Sequence, residues 1–449
     1  MTIISSLVRF GKRQLHTIVS KQIIKPSSPT PSHLKTYNLS SIDQFAPDAY
    51  MPMLIFYPNP NTYTNPQVKM INDLKNSLSR TLTQYYPFAG RLAKTTPSFV
   101  DCNDEGVVFL EAHNDNRLSD FINNMHHEDL DQFFPNGLLW KKLRSYSLEN
   151  DRTSPLAVQV NQFACGGIAV AVSLSHKIAD GSSLCNFFND WAITTRSGTS
   201  MDQNYASPID PYFMSFNNTN LNYQGVSLDK SRDSAVTKSF VFPGSKINEL
   251  KQKVVAMTAE SEQPVVNPTR MEVINWLLYK CALKAARKNN NHILKTSGFV
   301  LVTNIRNKMS EPLPKTTIGN FYSLPTFSTK NPDEITPSAF IAQLKSLKME
   351  VKGIQNINNA VEMLPQSVIE KEQRKFDECY MSTSLCRYPL YEIDFGWGKP
   401  IKAAIAGTFK HNGFLAVDDR HGDGVKVFVN LGKQDMEIFK SDSELRSFC

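Results

Sequence analysis

The sequence predicts an α/β protein built in two halves, and three observations carry that expectation. Residues Met70 to Tyr86 set Leu74, Leu78, Leu82 and Tyr85 at helical spacing. Residues 153–175 hold no formal charge and alternate like two interior strands. Residues 196–235 then lose all periodicity, and a new order of strand and helix begins. Each half opens with strand and helix and closes on apolar strands, with no repeat of fixed period. The length is 449 residues, which at about 150 residues per domain would allow about three domains. Hydrophobic residues make up 41% and charged residues 20%, enough apolar material for sizeable cores and too much for a disordered chain.

In chain order, a Ser/Thr/Pro-rich opening (KPSSPTPSHLKTYNLSSIDQ) leads into a strand, MLIFYP. The helix from Met70 follows and Pro87 stops it. GVVFLEA (106–112) reads as a strand, and Asp115 to Asp131 as loop or short helix. Leu156, Val158 and Val160 alternate on one arm of a hairpin turned at Gly166-Gly167. Ile168, Val170, Val172 and Leu174 alternate on the other, with Ala169, Ala171 and Ser173 opposite. A membrane span is a poorer account of this stretch, because Gln159, Asn161, Gln162 and the glycine pair interrupt it. Gly181 to Thr195 reads as a helix with Leu184, Phe187, Phe188 and Trp191 on one face. Beyond the boundary come strand SFVF, a helix from Ser245 to Met257 and a helix after Pro268. A strand ending in LVTNI (301–305), a helix around 337–352 and closing strands complete the chain.

Lys+Arg 49 against Asp+Glu 42 gives a formal charge of +7, a mild excess that suits an anionic small ligand and does not indicate nucleic acid. Six of these cations (Arg9, Lys12, Arg13, Lys21, Lys25 and Lys35) fall between Met1 and Gln44 with Asp43 as the lone acid. This stretch reads as a basic surface extension, with a mitochondrial or plastid presequence as the alternative. The seven cysteines are odd in number and widely spaced, with no CxxC. That pattern points to free thiols in a reducing compartment, without a metal centre, and to a cytoplasmic protein.

One short run carries chemistry. In SHKIADG, His176 and Asp180 stand four apart, after an interior strand and before a helix. Histidine has an unperturbed pKa near 6.5 and can accept a proton at neutral pH. Asp180 either orients the imidazole or forms an ion pair that holds the loop, and taken alone the histidine is equally at home as a satisfied core residue. Gly181 allows close packing beside them. Ser182 and Ser183 sit at a helix start, where capping accounts for hydroxyls better than nucleophilic catalysis does.

SHKIADG at 175–181, DFGWGKP at 394–400, YYPFAGRL at 85–92, VDCNDEGV at 100–107, LVTNIRNKMSEPLP at 301–314 and IGN at 318–320 appear in this order along most of the chain. Together they resemble the plant BAHD superfamily of acyl-CoA-dependent acyltransferases. The resemblance implies two similar chloramphenicol acetyltransferase-like α/β domains with mixed sheets, a long crossover loop and an active-site channel between them. The corresponding division is a basic extension over 1–24, an N-terminal domain over 25–205, a crossover over 206–235 and a C-terminal domain over 236–449. Two large halves then replace the three domains that length alone would allow.

The resemblance also implies roles. His176 is the general base that frees an acceptor hydroxyl or amine for direct attack on the thioester. Asp180, counted with the catalytic motif, pairs with Arg306 and acts structurally. Asp394, Phe395, Gly396, Trp397 and Gly398 are remote from the chemistry and shape the CoA side. Gly181 supports the motif, and Asn320 and Thr408 stand as CoA-side or channel residues, Thr408 on the strand after DFGWG. The co-substrate is acetyl-CoA or another acyl-CoA, with no tightly bound cofactor or metal. The working unit is a monomer that meets small molecules and neither nucleic acid nor a membrane span. The opening segment, VDCNDEGV and DFGWGKP look most like the branch of alkaloid and terpenoid O-acetyltransferases that contains vinorine synthase. Acetyl transfer to a hydroxyl of a plant specialised metabolite is the expectation. Hydroxycinnamoyl-, benzoyl- or malonyl-CoA use, or a silent binding scaffold, are the alternatives.

Overall fold

The computed structural model describes residues 16–59, 66–93, 98–135, 138–140, 152–199, 209–216, 235–291, 293, 295–329, 335–357, 360, 376–408 and 412–449. Two six-stranded mixed sheets organise it. The first runs, edge to edge, through His16–Ile24, Val107–Asn114, Leu156–Phe163, Ile168–Ser175, Tyr50–Tyr57 and Lys402–Ile405. The second runs through Ala235–Phe242, Val425–Gly432, Asn412–Asp418, Glu378–Ser384, Ser297–Leu301 and Thr326–Thr329. Each sheet combines parallel and antiparallel pairs. The expected α/β class with two mixed-sheet lobes is therefore what the chain adopts.

The uncharged hairpin lies inside the first sheet, with Leu156 opposite Leu174 and Val160 opposite Val170. Every residue of Ile168–Ser175 is buried, so an apolar run on both faces is what this position requires. Gly166 turns the hairpin at φ +89°, a conformation that suits glycine. The helix Pro66–Gln84 buries Leu74, Leu78 and Leu82 against this sheet together with the helix Gly181–Thr199, whose Phe187, Phe188 and Trp191 are fully buried. A second core surrounds the helix Arg270–Asn289, which begins at a reciprocal cap between Thr269 and Glu272.

Three details depart from the sequence expectation. His16–Ile24, assigned to a basic extension, is the edge strand of the first sheet, and residues 1–15 lie outside the described residues. Its exposed Ile18, Val19 and Ile23 break the alternation by which a half-buried strand is recognised. The strand expected through 301–305 ends at Leu301, and Thr303–Asn304 pairs separately with Tyr322–Ser323. Lys402–Ile405, expected within the second half, joins the first sheet beside Met53–Phe56. Of the crossover placed at 206–235, only 209–216 and 235 are described. No helix among the described residues is long and apolar enough to cross a membrane.

Candidate active site

His176 ends the innermost hairpin strand, and its backbone N–H donates to Ala49 O at 2.8 Å. From Gly167 to Asp180 it is the one residue that is not buried. A rigid, apolar strand thus ends in a single partly exposed imidazole, with Tyr322 edge-on at 6.1 Å between ring centroids. Nδ1 lies 3.0 Å from Asn320 Oδ1. Burial lowers the imidazole pKa from its ordinary 6.5. Its own backbone carbonyl, the Asp180 charge and Asn320 pull the other way without reversing the shift. The ring is therefore neutral at pH 7, as a proton acceptor must be.

Asp180 turns away from the imidazole. Its carboxylate meets Arg306 through Nη1 at 2.6 Å and Nη2 at 3.1 Å. The backbone N–H groups of Ser183 and Phe321 also donate to it, at 2.9 and 3.1 Å. Burial alone would raise this carboxyl, but Arg306 and these donors hold it below the usual carboxylate range. Arg306 spends its other N–H groups on Thr317 O and Gly319 O, at 3.0 and 2.9 Å, and stacks on Phe321. Of the two roles open to Asp180 in the sequence, the ion pair is the one this geometry forms. Ser183 Oγ shares its one proton between Asp180 Oδ1 and Gly319 O and accepts from Arg306 Nη2 and Gly319 N, so that hydroxyl is committed to the same knot. A Cβ on Gly181 would lie 2.7 Å from Leu385 Cδ2, which explains the glycine by close approach of the second half.

Asn320 is fully buried and serves the histidine. Its Nδ2 donates to His176 O at 2.7 Å and to Asp43 Oδ1 at 2.9 Å. Of the CoA-side and channel positions expected from the sequence, its contact with His176 is the part seen here, and both amide N–H groups are taken up within the protein. Asp43 is 1% exposed and caps its own short helix, Ser41–Phe45, by accepting from Ser40 N and Oγ. Burial raises its pKa, and the hydrogen bonds from Ser40 and Asn320 oppose that. Sequence reasoning missed this residue. Its one visible sign is the Ser40…Asp43 capping spacing. Lys177 is buried as well, donates to Gln44 O at 2.8 Å and is pushed down to about 8 by burial, against the pull of Asp48 and Asp43.

The DFGWG segment lies elsewhere. Asp394 Oδ1 accepts from Gly396 N and Gly398 N at 2.8 and 2.9 Å, closing a turn in which both glycines have φ near +100°. Phe395 is fully buried against Tyr57, Trp191 and Trp397. The Tyr57 hydroxyl donates to Ile393 O at 2.8 Å. Tyr57 pairs with Ile168, seven strand positions before Ser175. At about 3.3 Å per residue the turn is on the order of 20 Å from the imidazole. Thr408 is exposed and follows the turn at Gly407, beyond the strand on which it was expected.

The comparisons with known proteins give the family. The model of the Transferase family matches residues 16–446. Akuammiline synthase 1 of Alstonia scholaris is 35% identical over 438 residues, covering 96% of this chain and 97% of that protein. The 17,18-epoxy-17-hydroxycur-19-ene N-malonyltransferase of Strychnos nux-vomica is 33% identical over 439 residues, covering 96% and 90%. The crystal structure of vinorine synthase superposes with a TM-score of 0.77 at 30% identity over 97% of this chain and 98% of that one. The chain belongs to the BAHD superfamily of acyl-CoA-dependent acyltransferases, in the branch that contains vinorine synthase.

Proposed function

We propose that this acyltransferase moves an acetyl or other short neutral acyl group from its CoA thioester to a hydroxyl of a plant specialised metabolite such as an alkaloid or terpenoid, with His176 as general base. The observation that carries this reading is the single partly exposed imidazole at the end of a buried strand, neutral at pH 7. In this reading Nε2 takes the hydroxyl proton as the oxygen attacks the thioester carbonyl. The tetrahedral intermediate collapses with loss of the CoA thiolate, which receives the proton from His176. Both substrates react while held together, so no acyl-enzyme is needed. Burial of Ser183 within the Asp180 knot supports direct transfer.

The neutral acyl group is supported by the cations nearest the histidine. Lys177 is buried on Gln44 O, and Arg306 is committed to Asp180, so neither is offered to a second carboxylate. The N-malonyltransferase relative favours a second reading, a malonyl donor, which would need a cation from elsewhere. Measuring kcat/KM with acetyl-, malonyl- and coumaroyl-CoA against an acceptor panel separates the two. Acetyl-CoA should be preferred, and preference for another donor would sink the reading. His176→Ala should lower kcat by about 100- to 10,000-fold, and an unchanged kcat would refute the base assignment.

A further inference from the structure

We propose that Asp43 is a positioning residue for the reaction: it fixes the amide of Asn320 and thereby holds His176 in the tautomer with the proton on Nδ1 and the Nε2 lone pair free. The inference rests on His176 being the base, and it assigns a task to a carboxylate that touches neither substrate.

The argument is one of donors and acceptors. Asn320 Nδ2 lies 2.9 Å from Asp43 Oδ1 and 2.7 Å from His176 O. An ionised carboxylate and a peptide carbonyl can only accept. Turned over, the Asn320 amide would set its oxygen against both, two acceptor–acceptor contacts in a buried place. The amide is therefore locked with Oδ1 toward Nδ1 of His176, at 3.0 Å. An amide oxygen has no proton to give, so Nδ1 must carry one. In a neutral ring Nε2 is then the unprotonated nitrogen.

The His176 carbonyl alone would also prefer the amide nitrogen, but a hydrogen bond to a charged acceptor is roughly twice as strong. Asp43 itself cannot swing away. Its Oδ2 accepts from Ser40 N at 2.9 Å and from Ser40 Oγ at 2.7 Å, and its Oδ1 also accepts from Asn320 N at 2.9 Å. The capping box of a five-residue helix thus orients, through one amide, the ring at the end of a strand in the first sheet.

The test reads the tautomer directly. Nitrogen-15 NMR of histidine-labelled full-length protein resolves the two neutral forms, and the signal lost in His176→Ala identifies the residue. The wild-type protein should show the proton on Nδ1, and a proton on Nε2 would overturn the proposal without any variant. In Asp43→Asn the two tautomers should mix, and kcat should fall by about tenfold with KM for acyl-CoA unchanged. A folded Asp43→Asn protein with the wild-type tautomer overturns the proposal even where His176→Ala abolishes turnover, which leaves the base reading standing. Mixed tautomers with unchanged kcat would uphold the link from Asp43 to the ring and overturn the base reading instead.

Discussion

Arg306 meets Asp180 end-on, with Nη1 and Nη2 facing the two carboxylate oxygens at 2.6 and 3.1 Å. The pair joins the loop after the catalytic strand to the segment that follows Thr303–Asn304 in the second half. Both partners are buried, at 7% and 3% exposure, so neither can fall back on water. Removing Arg306 should cost about 3–5 kcal/mol, read as a lowered urea midpoint. Arg306→Lys should fail to restore it, because an ammonium cannot make the paired contact. The Asp180→Ala, Arg306→Ala double variant should lose less than the sum of the single losses.

The pH profile should report the imidazole. Burial lowers the His176 pKa, so kcat/KM should stay level through neutrality and fall on acidification with an apparent pKa below 6.5. The same shift has a sign for stability. The unfolded chain takes up this proton first as pH drops below about 6.5, so stability declines with falling pH until the folded ring also protonates. Chemical denaturation at a series of pH values measures that slope, and His176→Gln should remove its share.

Lys177 makes a prediction at the other end of the scale. Burial pushes its pKa down from the ordinary 10.5 to about 8. Between those values the unfolded chain binds the extra proton, so stability should rise with pH across that window. Below it the buried ammonium is a net burden of about 3 kcal/mol. Lys177→Met should raise the urea midpoint at pH 7 and flatten the alkaline slope.

The DFGWG turn should answer to stability rather than to chemistry. Nothing lies within 4 Å of a Cβ placed on Gly398, whose φ is +100°. Gly398→Ala should therefore cost only backbone strain, about 1–3 kcal/mol. Phe395→Ala opens a cavity between Tyr57, Trp191 and Trp397 and should cost about 3–5 kcal/mol. For each variant, kcat per folded molecule should remain near wild type, and a large fall in kcat without a fall in thermal midpoint would contradict the structural role.

The parts of the site that were legible in the sequence are those written in contiguous residues. SHKIADG placed His176 after an interior strand because an uncharged alternating run is visible locally, and the family resemblance tied Asp180 to Arg306. Asp43 was not legible as a functional group. Its segment looked merely polar, and its meeting with Asn320 is made by folding across most of the chain. Asn320 was named from its motif, but its bonds to His176 and Asp43 were not legible, since residue type and neighbourhood do not say which way an amide points. The edge strand His16–Ile24 was missed for a related reason: an exposed edge can carry Ile18, Val19, Ser20 and Lys21 in succession without the alternation that marks burial.

The strand Lys402–Ile405 closes the first sheet beside Met53–Phe56, although almost the whole of the second half separates them along the chain. During synthesis, Tyr50–Tyr57 leaves the ribosome long before its neighbour exists. Until residue 405 has emerged, one margin of that sheet offers unpaired backbone groups to any passing strand. The first sheet is therefore completed only after most of the second half has been made. A truncation before Lys402 would remove more than the tail of the second half, because it would also leave the scaffold of His176 open at one side.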